Sequence, residues 1–139
     1  MLHTKNLTGY RQTILYFIEE SPHPLSAKEI WAKMENQPDF STVYRALSFL
    51  LDKNAVKSVN FADSPQFYYS ASKKHRHFVY CTSCQKARGF QRCNAHELNL
   101  AVEKETGYKL TGHQLYFTGF CPECQDQNKQ NHQSQGVLL

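Results

Sequence analysis

The sequence predicts an α+β fold: a winged helix in the first half, then a small α/β unit built around a four-cysteine zinc site. Three observations carry this reading. Apolar residues recur at helical spacing in three segments before residue 53; two β-rich runs follow; and four of the five cysteines form two CxxC pairs, Cys81/Cys84 and Cys121/Cys124.

A chain of 139 residues, 40% apolar and 13% aromatic, has a globular composition and room for one ordinary domain or two small ones. No run approaches the roughly 18 apolar residues of a membrane span, and MLHTKNLTGY lacks an apolar signal core, so a cytoplasmic location without membrane contact is expected. In that reducing compartment, metal ligation explains paired cysteines better than a disulfide framework does. The formal charge of +4 is unevenly placed. Residues 1–70 hold seven basic and seven acidic side chains, and the excess lies in 71–139, where four thiolates on a zinc ion would reduce it. A nucleic-acid function must therefore be argued from pattern.

The first helix spans Arg11 to Glu20, with Ile14, Leu15, Phe17 and Ile18 apolar, and is ended by SPHP because proline cannot continue it. SAKE at 26–29 reads as a capping box opening a second helix, with Ile30, Trp31 and Met34 apolar. A third helix is expected from Ser41, the capping residue, through TVYRALSFLLDK to a stop at Asn54, with Val43, Ala46, Leu47 and Leu50 on one face. VKSVNF and QFYYSA, joined by ADSP, form a β-hairpin. In a winged helix the third helix commonly enters the major groove and reads bases with residues near its N-terminus, here Ser41, Thr42, Tyr44 and Arg45. Tyr44 and Arg45 would present an aromatic tip and a bidentate donor outward, or else serve as ordinary exposed scaffold. Arg11 is expected to contact phosphate.

After SASKK, HFVYC and KARGF read as strands around the knuckle CTSC. NAHELNLAVEKETG reads as a helix capped by Asn94 and ended at Thr106 and Gly107; YKLTGHQLYFTG returns as a strand; and CPEC is a second knuckle. The organisation expected is a DNA-binding winged helix at 1–70, a metal-binding domain at 75–125, with residues 71–74 linking the two where the chain changes character, and a disordered polar tail at 126–139.

Cys81, Cys84, Cys121 and Cys124 have the chemistry of a structural zinc site: four soft sulfurs complete a tetrahedron and leave no position for a reactive water. His75 and His77, at i and i+2 of a strand, project to one face and can chelate one ion. Cys93 and His96 have a CxxH spacing compatible with one metal, and His113 lies on the expected last strand.

TVYRAL at 42–47, HRHFVYCTSC at 75–84 and GYKLTGHQLYFTGFCPEC at 107–124 together resemble the signatures of the ferric uptake regulator family of metal-dependent repressors, over about residues 8–125. The resemblance implies a C-terminal dimerisation domain and repression by a homodimer that binds a palindromic double-stranded operator when a sensory metal is present. Iron- and peroxide-sensing members usually carry histidines three and five residues before the first knuckle cysteine; this chain has Phe78 and Arg76. A loop histidine and a wing-strand acid of those members are replaced by Pro24, beside His23, and by Tyr69. What is retained resembles the family's other regulatory site: His75, His77, His96 and His113, a set suited to Zn²⁺, with QRCNAHEL similar to zinc uptake regulators. Cys93 is a fifth ligand, a substitute for one histidine, or a free thiol. Gln85 stands where the family favours glycine after the knuckle and must adopt glycine's backbone.

The expectation is a zinc-responsive repressor with a structural and a regulatory zinc. Alternatives are an iron- or peroxide-responsive member and a zinc-ribbon adaptor that binds protein. An enzyme with a small-molecule substrate is disfavoured because no HExxH-like ligand-plus-base spacing is present.

Overall fold

The structure, a computed structural model, describes residues 9–73 and 75–128. The order is α1 (Gly9–Glu20), β1 (Leu25–Ser26), α2 (Ala27–Ala32), α3 (Phe40–Asp52), β2 (Val56–Asn60), β3 (Gln66–Ser70), β4 (His77–Cys81), β5 (Ala87–Phe90), α4 (Ala95–Thr106), β6 (Tyr116–Gly119) and α5 (Pro122–Asn128).

The expected winged helix is present. Ile14, Leu15 and Ile18 of α1, Ile30 of α2 and Val43, Ala46, Leu47 and Leu50 of α3 share one core with Val56 and Tyr68 of the hairpin. Each fully buried Leu or Ile contributes roughly 1.5–3 kcal/mol, so these helical faces hold the unit together. Ser26 caps α2, its hydroxyl accepting from the Glu29 N–H at 3.2 Å. Short β1, not foreseen in the sequence, pairs antiparallel with β3, giving the order β1-β3-β2.

Helix α3 begins one residue earlier than expected, at Phe40, and Asp39 rather than Ser41 is its N-cap, without a side-chain bond. The Trp31 indole fixes the approach to it, donating to the Pro38 carbonyl at 2.9 Å and packing on Phe40. Asn54, the expected stop, adopts the left-handed conformation at φ 56°.

In the second unit β4 is central: β5 pairs with it antiparallel and β6 parallel, the return being made through α4. Gly107 ends α4 at φ 75°. The expected long strand after it is a correction: only Tyr116–Gly119 is strand, and residues 107–115 cross irregularly to β6. Leu110 N–H in this crossing donates to Glu103 of α4 at 3.1 Å instead of to a strand. The CPEC knuckle opens α5, which continues through residues 126–128 of the expected tail; the remainder of that tail lies outside the described residues.

A second core joins the two units. Phe61 and Phe67 of the wing pack with Phe78, Tyr80 and Ala87 of the second sheet; Phe61 stacks on Tyr80 at 5.3 Å, and the Ala62 N–H donates to the Tyr116 hydroxyl at 3.3 Å. The wing thus rests on the sheet whose central strand carries His77 and Cys81.

Candidate metal centres and DNA-facing helix

Both knuckles deliver their sulfurs to one place. The donor atoms of Cys81, Cys84, Cys121 and Cys124 all lie within 4.8 Å of one another, and the Cys84 and Cys121 sulfurs are 3.8 Å apart. A tetrahedron with Zn–S bonds of 2.3 Å has edges of about 3.8 Å, so these residues fit a zinc ion. In the first knuckle the Gln85 N–H donates to the Cys81 carbonyl at 2.9 Å, a turn that requires Gln85 at φ 63°. That is the glycine-like conformation the sequence demanded of this side chain. In the second, Cys124 and Gln125 N–H groups both donate to the Cys121 carbonyl at 3.0 Å, the opening turn of α5.

The electrostatics suit a cation. Burial raises the Cys81 thiol, but the Cys121, Cys84 and Ser83 backbone groups directed at its sulfur outweigh burial and hold it at about 6. At Cys124, Ser83 favours the thiolate but is outweighed by Cys121, burial, Cys81 and Cys84, which push it up to about 12. Cys81 ionises readily whereas Cys124 resists while its neighbours share the site, and a positive ion at the centre would favour the thiolates together.

The second cluster contains His75, His77, Cys93 and His113, again with all donor atoms within 4.8 Å. The His75 Nε2 lies 3.0 Å from that of His77 and 3.2 Å from that of His113; the His77 and His113 Nε2 atoms are 3.2 Å apart, and the Cys93 Sγ is 3.4 Å from the His113 Nε2. Zn–N bonds near 2.0–2.1 Å give tetrahedral edges of about 3.3–3.4 Å, close to these separations, so the three imidazoles and the thiolate fit a zinc ion as well. His77 is buried; burial first, then His75 and His113, lower its pKa, while a hydrogen bond with the Leu115 backbone works against them. The imidazole is therefore held neutral, with a lone pair for a metal.

His96, expected in this set, is exposed in the first turn of α4 and is not among the converging residues. The non-helical segment 91–94, just before α4, carries Cys93 to His113 instead. Of the three readings open for Cys93, the geometry matches substitution for a histidine. His113 lies in the crossing ahead of β6 rather than on a strand. His23 belongs to neither cluster; burial, then Arg88, Arg76 and Lys73, keep its imidazole neutral.

On α3, Val43, Ala46 and Leu47 are buried, whereas Ser41, Tyr44 and Arg45 are exposed and Thr42 is half-buried. Tyr44 packs edge-on to Phe40 at 5.2 Å, and an Arg45 Nη lies 3.5 Å from the Thr42 hydroxyl. Arg11 is half-buried, its guanidinium 3.7 Å over the Phe49 ring, so it ties α1 to α3 whatever else it touches. No described helix is long and apolar enough to cross a membrane.

A winged helix joined to a sheet bearing a four-sulfur and a three-imidazole, one-thiol cluster defines a metal-binding protein with a nucleic-acid-reading fold. Residues 4–118 match the ferric uptake regulator family, and the chain belongs to that family of metal-responsive transcriptional regulators. It is 32% identical to the peroxide-responsive repressor PerR of Staphylococcus aureus over 126 residues, covering 86% of this chain and 82% of that protein. The ferric uptake regulation protein of Campylobacter jejuni is 28% identical over 125 residues, with 86% and 80% covered. Among solved structures, the Helicobacter pylori ferric uptake regulator Fur, described as having three functional metal binding sites, superposes with a TM-score of 0.73 at 27% identity, over 86% of this chain and 82% of that one.

Proposed function

We propose that this protein is a zinc-responsive repressor that binds palindromic operator DNA as a metal-loaded homodimer. The observation that carries the reading is the convergence of three imidazoles and one thiol, without a carboxylate, at tetrahedral spacing. Softer N/S donors in a tetrahedron suit Zn²⁺, whereas iron and manganese sites favour oxygen donors and higher coordination. Zinc, when bound, would supply the positive charge that holds these four groups together.

The remaining parts of the proposal are these. Residues 1–70 form the reader, 71–74 the hinge and 75–125 the metal-binding dimerisation domain. Ser41, Thr42, Tyr44 and Arg45 stand at the start of α3, where a recognition helix meets base edges. Leu98 and Leu100 of α4, Tyr108, and Tyr116 and Phe117 of the edge strand β6 are 39–73% exposed. A second copy would cover this apolar face and pair the open edge. Gathering His75, His77, Cys93 and His113 would fix the chain where it leaves the hinge, and through it favour one arrangement of the two units and one spacing of two recognition helices on duplex DNA.

The kinship with a peroxide-responsive repressor and a ferric uptake regulation protein supports a second reading, an iron or peroxide sensor. Operator duplex recovered from a random-sequence pool separates them. With the four-cysteine site kept full, Zn²⁺ at free concentrations below those needed for Fe²⁺ or Mn²⁺ is expected to raise DNA affinity. A gain with Fe²⁺ and none with Zn²⁺ would replace the zinc reading with the iron one.

A further inference from the structure

Strand β4 and the residues before it alternate in purpose. His75, His77 and Cys81 belong to the two metal-ligating clusters. Arg76, Phe78 and Tyr80 point the other way, toward the winged helix: Phe78 and Tyr80 meet Phe61, and an Arg76 Nη donates to the Pro22 carbonyl at 3.1 Å. A Cβ placed on Gly89 would lie 3.6 Å from that guanidinium and 3.7 Å from both Arg76 Cδ and Phe78 Cε1, so the Arg76 stem runs beside Phe78 along a bare stretch of β5.

The point it reaches is the turn just beyond the C-terminal end of α1, Pro22 lying two residues past Glu20. Helix ends of this polarity carry unsatisfied carbonyls and partial negative charge, normally answered by basic residues in the last turn. α1 has none there and ends in Glu19 and Glu20, which add to the negative charge. The following turn is closed locally, with the Ser21 hydroxyl donating to the His23 carbonyl at 2.6 Å and accepting from the His23 N–H. Its Ser21 and Pro22 carbonyls receive their cations from beyond the hairpin: Lys73 Nζ donates to Ser21 at 2.6 Å, and Arg76 donates to Pro22.

We propose that Arg76, assisted by Lys73, is the positioning residue that passes occupancy of the histidine site to the winged helix by capping the C-terminal end of α1. This rests on the zinc-responsive reading above. Arg76 lies between two ligands of one ion, so fixing His75 and His77 fixes the backbone from which the guanidinium reaches across. With the site open, Arg76 loses that constraint and its bond to Pro22 loosens, so the α1 end of the winged helix is no longer held in one orientation on the second domain. The interaction is charge-assisted and directional, so it holds an orientation as well as a contact.

The test uses the full-length chain with its four-cysteine zinc retained, comparing wild type, Arg76→Ala, Arg76→Lys and Lys73→Gln. Cobalt absorption reports ligation at the histidine site, light scattering the dimer, and operator affinity with and without zinc the coupling. Arg76→Ala is expected to keep the cobalt spectrum and the dimer while its zinc-dependent gain falls below about threefold, beneath the ~5- to 150-fold span of ordinary allosteric couplings. Arg76→Lys is expected to recover part of the gain, and Lys73→Gln to lose less of it. Because coupling is reciprocal, operator DNA should tighten zinc binding in the wild type and by less than the same threefold in Arg76→Ala, whereas a merely structural role would show as an altered cobalt spectrum, a lost dimer, or no rescue by Arg76→Lys. Arg76→Ala with a wild-type gain overturns the proposal and leaves the zinc reading standing. A wild type without any zinc-dependent gain overturns both.

Discussion

In the winged helix, α3 buries Val43, Ala46, Leu47 and Leu50 against its own chain; in the second unit, α4 buries nothing and displays Leu98 and Leu100. Both helices are of ordinary length, 13 and 12 residues. The difference is in what surrounds them. α3 meets two helices and a hairpin that complete a core, whereas α4 closes no core with its own unit, whose three-stranded sheet has an exposed edge strand, β6. A helix is stabilised mainly by packing an amphipathic face, so the first unit has a core of its own, whereas the second, under the function proposed above, would draw on metal ligation and a partner copy.

The largest effect that could break this contrast is expected from the four-cysteine site. Ligation there is folding free energy, so Cys81→Ser or Cys121→Ser should lose one tightly held zinc and the dimer together, while amide exchange in α1–α3 remains slow. A variant that stays dimeric with full zinc content would contradict the assignment. Next comes the apolar face. Phe117→Asp places a charge on the exposed strand and should turn a dimer into a monomer by light scattering, with both metal stoichiometries retained; an unchanged dimer would put the interface elsewhere.

Changes on α3 should be smaller and confined to DNA. Arg45→Ala is expected to weaken operator binding by ~1–3 kcal/mol if it reads a guanine edge, and Tyr44→Ala to weaken it as well, with zinc content untouched. Unaltered affinity in both would remove α3 as the reader. The smallest effect is expected at Arg11. Its loss should weaken binding about equally across sequences and reduce the salt slope by about 1, if the guanidinium over Phe49 also reaches phosphate. An unchanged slope would leave Arg11 as a packing residue only.

Much of this was legible in the sequence, because local rules and tertiary context agree there. Helical spacing marked the α3 core face, SAKE marked the α2 cap, and the CxxC spacing placed four sulfurs together. The failures fall where chain direction depends on distant contacts. Ser41 looked like a cap, but the Trp31 bond to Pro38 and its packing on Phe40 bring the chain into α3 a residue sooner. YKLTGHQLYFTG has Tyr, Thr and Phe at intervals that suggest a strand, yet its first part carries His113 across to the imidazole cluster. His96 and Cys93 stand three apart, and spacing could not decide which faces the cluster once a helix starts between them. The Arg76 cap left no local signal, since donor and acceptor are 54 residues apart.

Zinc sensing, as proposed, turns on which side chains hold the regulatory metal. The direct measurement is the zinc-dependent gain in operator affinity for His113→Ala and His96→Ala, both with the four-cysteine zinc retained, alongside Co²⁺ absorption of wild type and Cys93→Ser. Loss of the gain in His113→Ala, its retention in His96→Ala, and a thiolate charge-transfer band that vanishes in Cys93→Ser are the predicted results. A full gain in His113→Ala would contradict the account and move sensing away from the His75, His77, Cys93 and His113 cluster.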